Sequence, residues 1–215
     1  MTDPLARHTD YGNRSLDESD VADDPIAQFS AWLEDAAARG VYEPNAMVLS
    51  TVDADGTPSS RTVLLRAVDA HGFVFYTDRS SRKGQALAAH PLATLLFPWY
   101  TVHRQVNVTG EVALVDDAES DAYWASRPRG SRISGTASAQ SQPIGSRAEL
   151  DARVAEVEVA FPEGREVPRP ARWGGYRLRP RRIEFWQGRT SRLHDRLVFT
   201  RGDRGTDWSV ERLQP

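Results

Sequence analysis

Cysteine is absent from the 215 residues, and that one absence removes a disulfide framework, a thiolate metal site and a cysteine nucleophile together. No stretch approaches the ~20 consecutive apolar residues needed to cross a bilayer. The opening segment, MTDPLARHTDYGNRSLDESD, has neither a basic start nor an apolar h-region. Charge of one sign is also lacking: the net charge is −3 with both signs interspersed, which offers nucleic acid no sequence-independent attraction. The expectation is a cytoplasmic, soluble protein with neither a nucleic-acid nor a membrane partner. The common catalytic signatures are missing as well. No GxGxxG follows a strand, there is no Walker loop or GxSxG elbow, and the five histidines lack metal-site spacing.

What is present reads as one β-rich domain behind a polar arm. Residues 1–23 are acidic and without hydrophobic periodicity, and are expected to form a flexible arm that orders only against a partner or ligand. The domain proper, 24–215, begins with DPIAQFSAWLEDAAARG. There Ile26, Phe29, Trp32, Leu33 and Ala36 recur at helical spacing, Pro25 suits a first turn and Gly40 a stop. Three β-rich runs follow, separated by DADG and DAHG, in the pattern of antiparallel hairpins. Next come a short helix in SSRKGQALAAHP and two strands, ATLLFPWY and RQVNVTGEVALV. Helices are expected at 116–128 and 146–160, the second opened by a capping box of Ser146 and Glu149, with a polar loop over 130–145 between them. The tail returns to three strands. Short strands joined by hairpins, with a few helices outside, point to an antiparallel barrel, because closure removes exposed edges.

Three groups of residues invite a chemical reading. Arg61, Arg66, Arg82 and Lys83 stand at strand ends or in the SSRKG turn, either solvated or cradling a phosphate monoester. In YWASRPRGS, Tyr123, Arg127 and Ser131 are spaced by four, and the first two are expected on one helix face. They form either an ordinary helix end or three donors for one phosphate. In EFWQGRTSRLHDR, Arg192, His194 and Arg196 are expected to alternate along one strand beside Trp186, a basic face that calls for an anion. These residues alone imply a β-rich domain that binds a phosphorylated ligand.

The chain also resembles the pyridoxine/pyridoxamine 5′-phosphate oxidases, from about residue 24 to its end. The likeness is carried in order by RTVLLR, FVFYTDRSSRKG, LLFPWYTVHRQV, YWASRPRGS, SAQSQ, RWGGYRL, IEFWQG, RLHDR and ERLQP. The resemblance implies a flavin mononucleotide (FMN)-binding split β-barrel, an antiparallel, Greek-key-like, six-stranded barrel. It also implies a homodimer, with a dimerisation region at about 172–215 and FMN at the interface. The implied FMN contacts are Arg61, Thr62, Val63, Leu64, Tyr76, Thr77, Arg82, Lys83, Gln105, Gln140, Ser141, Trp186 and Arg196. The substrate phosphate would fall to Arg66, Tyr123, Arg127 and Ser131, and the pyridine ring to Arg192 and His194, which would also be catalytic.

The implied activity is oxidation of pyridoxine and pyridoxamine 5′-phosphates to pyridoxal 5′-phosphate, with dioxygen reduced to hydrogen peroxide. The alternatives are a related FMN oxidase that aromatises a dihydro ring in phenazine-type synthesis, and a flavin-binding module without turnover. Three departures from the family pattern stand out. Arg66 replaces a usual lysine, SRISGTAS replaces a usual glycine-alanine-tryptophan after the serine, and in the arm His8 precedes Tyr11 at the spacing usual for an arginine, with Arg7 one further out.

Overall fold

The computed structural model describes residues 3–6, 9–202 and 207–215. Nine strands form one antiparallel system: β1 Ala46–Val52, β2 Pro58–Leu64, β3 Ala67–Asp69, β4 Gly72–Asp78, β5 Leu92–Trp99, β6 Arg104–Leu114, β7 Trp173–Gln187, β8 Asp195–Arg201 and β9 Trp208–Leu213. The hydrogen-bonded order is β2-β1-β5-β6-β7-β4-β3, with β8 pairing β7 and β9 pairing β8. Among the described residues five α-helices flank it: α1 Pro25–Ala38, α2 Arg82–Ala89, α3 Asp117–Ser126, α4 Arg129–Ala137 and α5 Arg147–Ala160. The expected mainly antiparallel β architecture with flanking helices is what the chain adopts, and among the described residues no helix is long and apolar enough to cross a membrane.

Strand β7 organises the sheet. Residues Tyr176–Gln187 pair with β6, while its other edge is shared: Trp173–Leu178 pairs with β4 and Arg182–Gln187 with β8. The sheet therefore splits along β7 into two wings. The backbone N–H of Arg66, just beyond β2, donates to Val74 O at 2.8 Å, bringing the far end of the strand order back to β4.

Period-two burial builds the core. Met47, Leu49 and Thr51 of β1, Leu95, Phe97 and Trp99 of β5, and Val106 and Val108 of β6 all point inward. Onto them α1 lays the face read from its spacing. Phe29 meets Phe73 and Phe97 edge-on at 4.8 Å each, Trp32 meets Phe185 at 5.2 Å, and Ala36 is fully buried. Each buried phenylalanine contributes about 1.5–3 kcal/mol of apolar burial. Asp24 caps this helix by accepting from Ile26 N, and Pro25 occupies its first turn. A second, smaller core of Trp124, Ile133, Val167 and Trp173 seats α3, α4 and α5 against the start of β7.

Three local expectations need correction. The polar stretch 130–145 is not all loop, because α4 runs through Arg129–Ala137. It is held by buried Ile133 and by Arg172, whose Nη2 donates to the carbonyls of Gly135, Thr136 and Ser138 at the helix end. The capping box at α5 is half formed. Ser146 accepts from Glu149 N, but the Glu149 carboxylate accepts from Gly145 N, one residue upstream of the cap. Lastly, Arg192, His194 and Arg196 do not share a strand, since Arg192 closes a 3-10 turn and β8 begins only at Asp195.

Part of the stretch ahead of α1 lies on the sheet. Leu16 is buried in the main core, its N–H donates to Asp195 Oδ2 at 3.1 Å, and Arg212 Nη2 donates to its carbonyl at 3.0 Å. The expectation about Arg7 and His8 lies outside the described residues.

Candidate active site

A cavity of about 650 Å³ opens between the end of β2, the outer half of β4 and the helices α2, α3 and α4. Strand β2 contributes Arg61, Thr62, Val63 and Leu64, and Arg66 follows it. From β4 come Tyr76 and Thr77, from α2 Lys83, from α3 and its end Tyr123 and Arg127, from α4 Ser131, and from the following loop Gln140. All twelve were singled out as FMN or substrate-phosphate contacts from sequences scattered over 80 positions, and the fold brings them to one hollow.

Among the described residues, four cations line the cavity and no carboxylate does. Arg61 donates only to neutral oxygens: Leu49 O at 3.1 Å, Thr51 Oγ1 at 2.8 Å and Ser59 Oγ at 2.5 Å. Lys83 Nζ donates to Gln140 Oε1 at 2.9 Å and Ser81 Oγ at 3.3 Å, and Gln140 Oε1 also accepts from Thr77 Oγ1 at 3.1 Å. Burial, with Arg61 nearby, pushes the Lys83 ammonium below its usual pKa. Burial does the same to Arg61 and Arg127, and Arg66 adds like-charge repulsion at Arg127. None of the four guanidinium or ammonium groups has an ion-pair partner among the described residues. Such charges attract an anion: Asp53 and Asp78 act on Arg61 and Lys83 without bonding to them, and each is itself bonded to another arginine, Arg82 and Arg172. Tyr76 donates to Glu119 Oε1 at 3.4 Å, and burial together with that carboxylate raises its phenol to about 12. It stays protonated.

Two further corrections concern this hollow. Tyr123 and Arg127 do not share a helix face, because α3 ends at Ser126 and Arg127 is extended, with Ser131 on the next helix. The three meet through the bend between α3 and α4. Arg82 points elsewhere: its Nε and Nη2 donate to Asp53 Oδ2 at 2.8 and 2.6 Å. Ser141, at φ 68°, is exposed and does not line the cavity.

A second group sits on the other wing. Gln105 faces Trp186 across β6 and β7, and Trp186 faces Arg196 across β7 and β8, so the three form one row. Arg196 is neutralised by buried Glu184, which accepts its Nε at 2.7 Å. Beside this row a hollow of about 430 Å³ is lined by Tyr11, Trp186, Arg189, Arg192 and His194, among others. His194 Nδ1 accepts from Arg189 N at 3.1 Å, so the ring hydrogen of the neutral imidazole is on Nε2. Burial and the neighbouring Arg192 lower its pKa, against the pull of Asp195, which favours that neutral form. Ser191 and Arg192 hold φ of 55° and 62°, a left-handed pair that fixes where Arg192 projects.

Residue-level reading missed Trp173, which lines the first cavity, and Arg189, which lines the second. Trp173 lies inside the RWGGYRL stretch, but a tryptophan opening a strand carries no signal of a site. Among the described residues no cluster of metal-ligating side chains occurs.

Residues 33–161 match the family described as pyridoxamine 5′-phosphate oxidase, and residues 173–215 match the pyridoxine 5′-phosphate oxidase C-terminal dimerisation region. The chain is 55% identical over 216 residues to a pyridoxine/pyridoxamine 5′-phosphate oxidase of Burkholderia vietnamiensis, covering 100% of both chains. It is 53% identical over 206 residues to one of Rubrobacter xylanophilus, covering 96% of this chain and 94% of the relative. Among solved structures, PhzG from Burkholderia lata 383 in complex with tetrahydrophenazine-1-carboxylic acid superimposes with a TM-score of 0.88 at 33% identity, over 95% of this chain and 100% of that one.

Proposed function

The chain belongs to the pyridoxine/pyridoxamine 5′-phosphate oxidase family, and from that premise and the four-cation cavity we infer that it oxidises pyridoxine and pyridoxamine 5′-phosphates to pyridoxal 5′-phosphate, with FMN as cofactor and dioxygen as acceptor. The observation that carries this reading is the charge count of the cavity: Arg61, Arg66, Lys83 and Arg127 with no carboxylate among the lining residues. One dianionic phosphate would leave half of that charge uncompensated, whereas a cofactor phosphate and a substrate phosphate together match it.

Arg61 and Lys83, steadied by Thr51, Ser59 and Gln140, would hold the FMN phosphate, and the β2 segment Thr62–Leu64 with Tyr76 and Thr77 would line its path. Arg66, Tyr123, Arg127 and Ser131 would grip the substrate phosphate. Bound FMN supplies a two-electron acceptor, which dioxygen restores with release of hydrogen peroxide. The alcohol substrate loses two hydrogens and becomes the aldehyde; the amine loses two hydrogens and then takes up water to release ammonia. His194, neutral with its hydrogen on Nε2, and Arg192, fixed by its left-handed backbone, would orient the pyridine ring and face the charge it develops.

The Gln105, Trp186 and Arg196 row and the Arg192 and His194 pair lie on a different wing from the cavity. We therefore infer that a second copy of the chain brings them to it, a homodimer supported by the match of 173–215 to a dimerisation region. In this reading β1, β2, β4, β5, β6 and β7 are the six barrel strands, residues 1–23 are the arm, and the cytoplasm is the compartment. The likeness to PhzG favours, as a second reading, a ring-aromatising relative, but such a substrate without a phosphate would have no use for Tyr123, Arg127 and Ser131. Replacing Arg127 by Ala decides between them. Loss of a charged hydrogen bond, about 1.5–3 kcal/mol, raises KM for pyridoxine 5′-phosphate at least about tenfold, and an unchanged KM would overturn the substrate assignment.

A further inference from the structure

Arg127 is buried in an unusual way. Its guanidinium makes no hydrogen bond or ion pair among the described residues, and its Nη1 is buried without a partner. Aromatic rings hold it instead. The guanidinium carbon lies 4.7 Å from the Trp173 ring centroid and 5.0 Å from that of Trp124, and the two indoles meet edge to face at 4.7 Å. Both are pinned. Trp124 Nε1 donates to Val167 O at 2.8 Å, and Trp173, only 4% exposed, is nearly parallel to Tyr76 and Tyr123 at interplanar angles of 9° and 6°. Behind them stands Gly135 of α4, where a Cβ would come 3.2 Å from Arg127 Nη1 and 3.0 Å from Trp124 Cη2.

We propose that Trp173 and Trp124 are positioning residues that hold Arg127 aimed at the substrate phosphate by cation–π contact, with Gly135 leaving the room they need. The proposal rests on the reading above, in which Arg127 receives that phosphate. A carboxylate placed there instead would immobilise the guanidinium equally well, but it would occupy the donor fork and cancel the charge. Indole faces fix the group without occupying a donor or cancelling its charge, so the N–H groups on its open side stay available to the ligand. The side chain is also ordered before substrate arrives, so binding does not bear the cost of immobilising it.

The test uses the full-length, FMN-loaded protein and the variants Arg127→Ala, Trp173→Phe, Trp173→Leu, Gly135→Ala and the double variant Arg127→Ala/Trp173→Leu. With pyridoxine 5′-phosphate, Trp173→Leu raises KM about tenfold, equivalent to about 1.4 kcal/mol. Trp173→Phe, which keeps a π face, raises it only about threefold. In both, the loss falls on KM and not on kcat. The double variant is no worse than Arg127→Ala alone, because the indole acts through the arginine. Inorganic phosphate, used as a competitive inhibitor, weakens in the same order.

Gly135→Ala guards against a folding failure at Trp173. Alanine is the better helix former, so α4 is not weakened, yet its methyl displaces Arg127 and Trp124 and KM rises about threefold. Equal effects of Phe and Leu at position 173, a multiplicative loss in the double variant, or an unchanged KM in Gly135→Ala would overturn the proposal. If Arg127→Ala itself leaves KM unchanged, it is the cavity reading that fails. If it raises KM while the Trp173 and Gly135 variants do not, the indole proposal fails alone.

Discussion

Replacing Lys83 by Met should move cofactor affinity and apoprotein stability in opposite directions. The lysine stem is kept and only the ammonium is lost. In the free protein that ammonium is partly buried beside Arg61, bonded to Gln140 Oε1 and Ser81 Oγ, and its pKa is pushed below the usual 10.5 by burial first and by Arg61 second. A depressed lysine pKa means that the folded chain binds fewer protons than the unfolded chain as pH approaches 10.5, so wild-type apoprotein gains stability as pH rises through that window. Lys83→Met abolishes this gain. Gln140 keeps its bond from Thr77, so at pH 7 the variant apoprotein is at least as stable as wild type.

With FMN the balance reverses. One charged hydrogen bond to phosphate is worth about 1.5–3 kcal/mol, so the dissociation constant rises roughly tenfold to 150-fold. Flavin-fluorescence quenching on titrating apoprotein with FMN reads the affinity, and urea unfolding of apoprotein at pH 7 and pH 9 reads the stability. FMN affinity equal to wild type, or a clear fall in apoprotein stability, would refute the reasoning.

Other expectations follow from the same geometry. Arg127→Ala and Arg192→Ala chains, unfolded and refolded together, should recover about a quarter of wild-type activity at low substrate, because half of the random dimers carry one intact site in two; no recovery would place each site within one chain. Burial alone would raise the Glu184 carboxyl, but the hydrogen bonds from Arg196 and Arg182 outweigh it and hold it below 4.5. It therefore contributes stability above that value which is lost as pH falls through its depressed folded pKa, and Glu184→Gln should flatten the acid limb of urea midpoints measured below pH 4.5. Gly110→Ala, at the register shift between β6 and β7, would place a Cβ 2.0 Å from Arg179 O. It should cost more than about 3 kcal/mol by urea unfolding, or prevent folding outright.

How much of this was legible in the sequence varied with the range of the forces involved. Helix α1 could be read because Phe29, Trp32 and Ala36 repeat at the period of their own helix, and the β runs because burial alternates along each strand. Helix α4 could not: its Ser, Gly and Thr residues are weak helix formers, it buries only Ile133, and its end is capped by Arg172, a residue far along the chain. The position of Arg192 turns on two left-handed residues, 191 and 192, neither of them a glycine that would have marked the turn. At the site, Arg61, Lys83 and Arg127 were visible as cations, and resemblance gathered them into one hollow. That Arg82 answers to Asp53, 29 positions away, and that Arg127 is held by indoles from two elements, are tertiary facts with no local signature.

The central claim is that the four-cation cavity serves two phosphates, one on the cofactor and one on the substrate. Aerobic turnover of the FMN-loaded protein with pyridoxine and pyridoxamine 5′-phosphates, following pyridoxal 5′-phosphate and hydrogen peroxide together, tests it most directly. The account predicts both products in equal amounts from either substrate, and little turnover of unphosphorylated pyridoxine. Bound FMN with no oxidation of either phosphate ester, or equal turnover of the ester and the free alcohol, would contradict it.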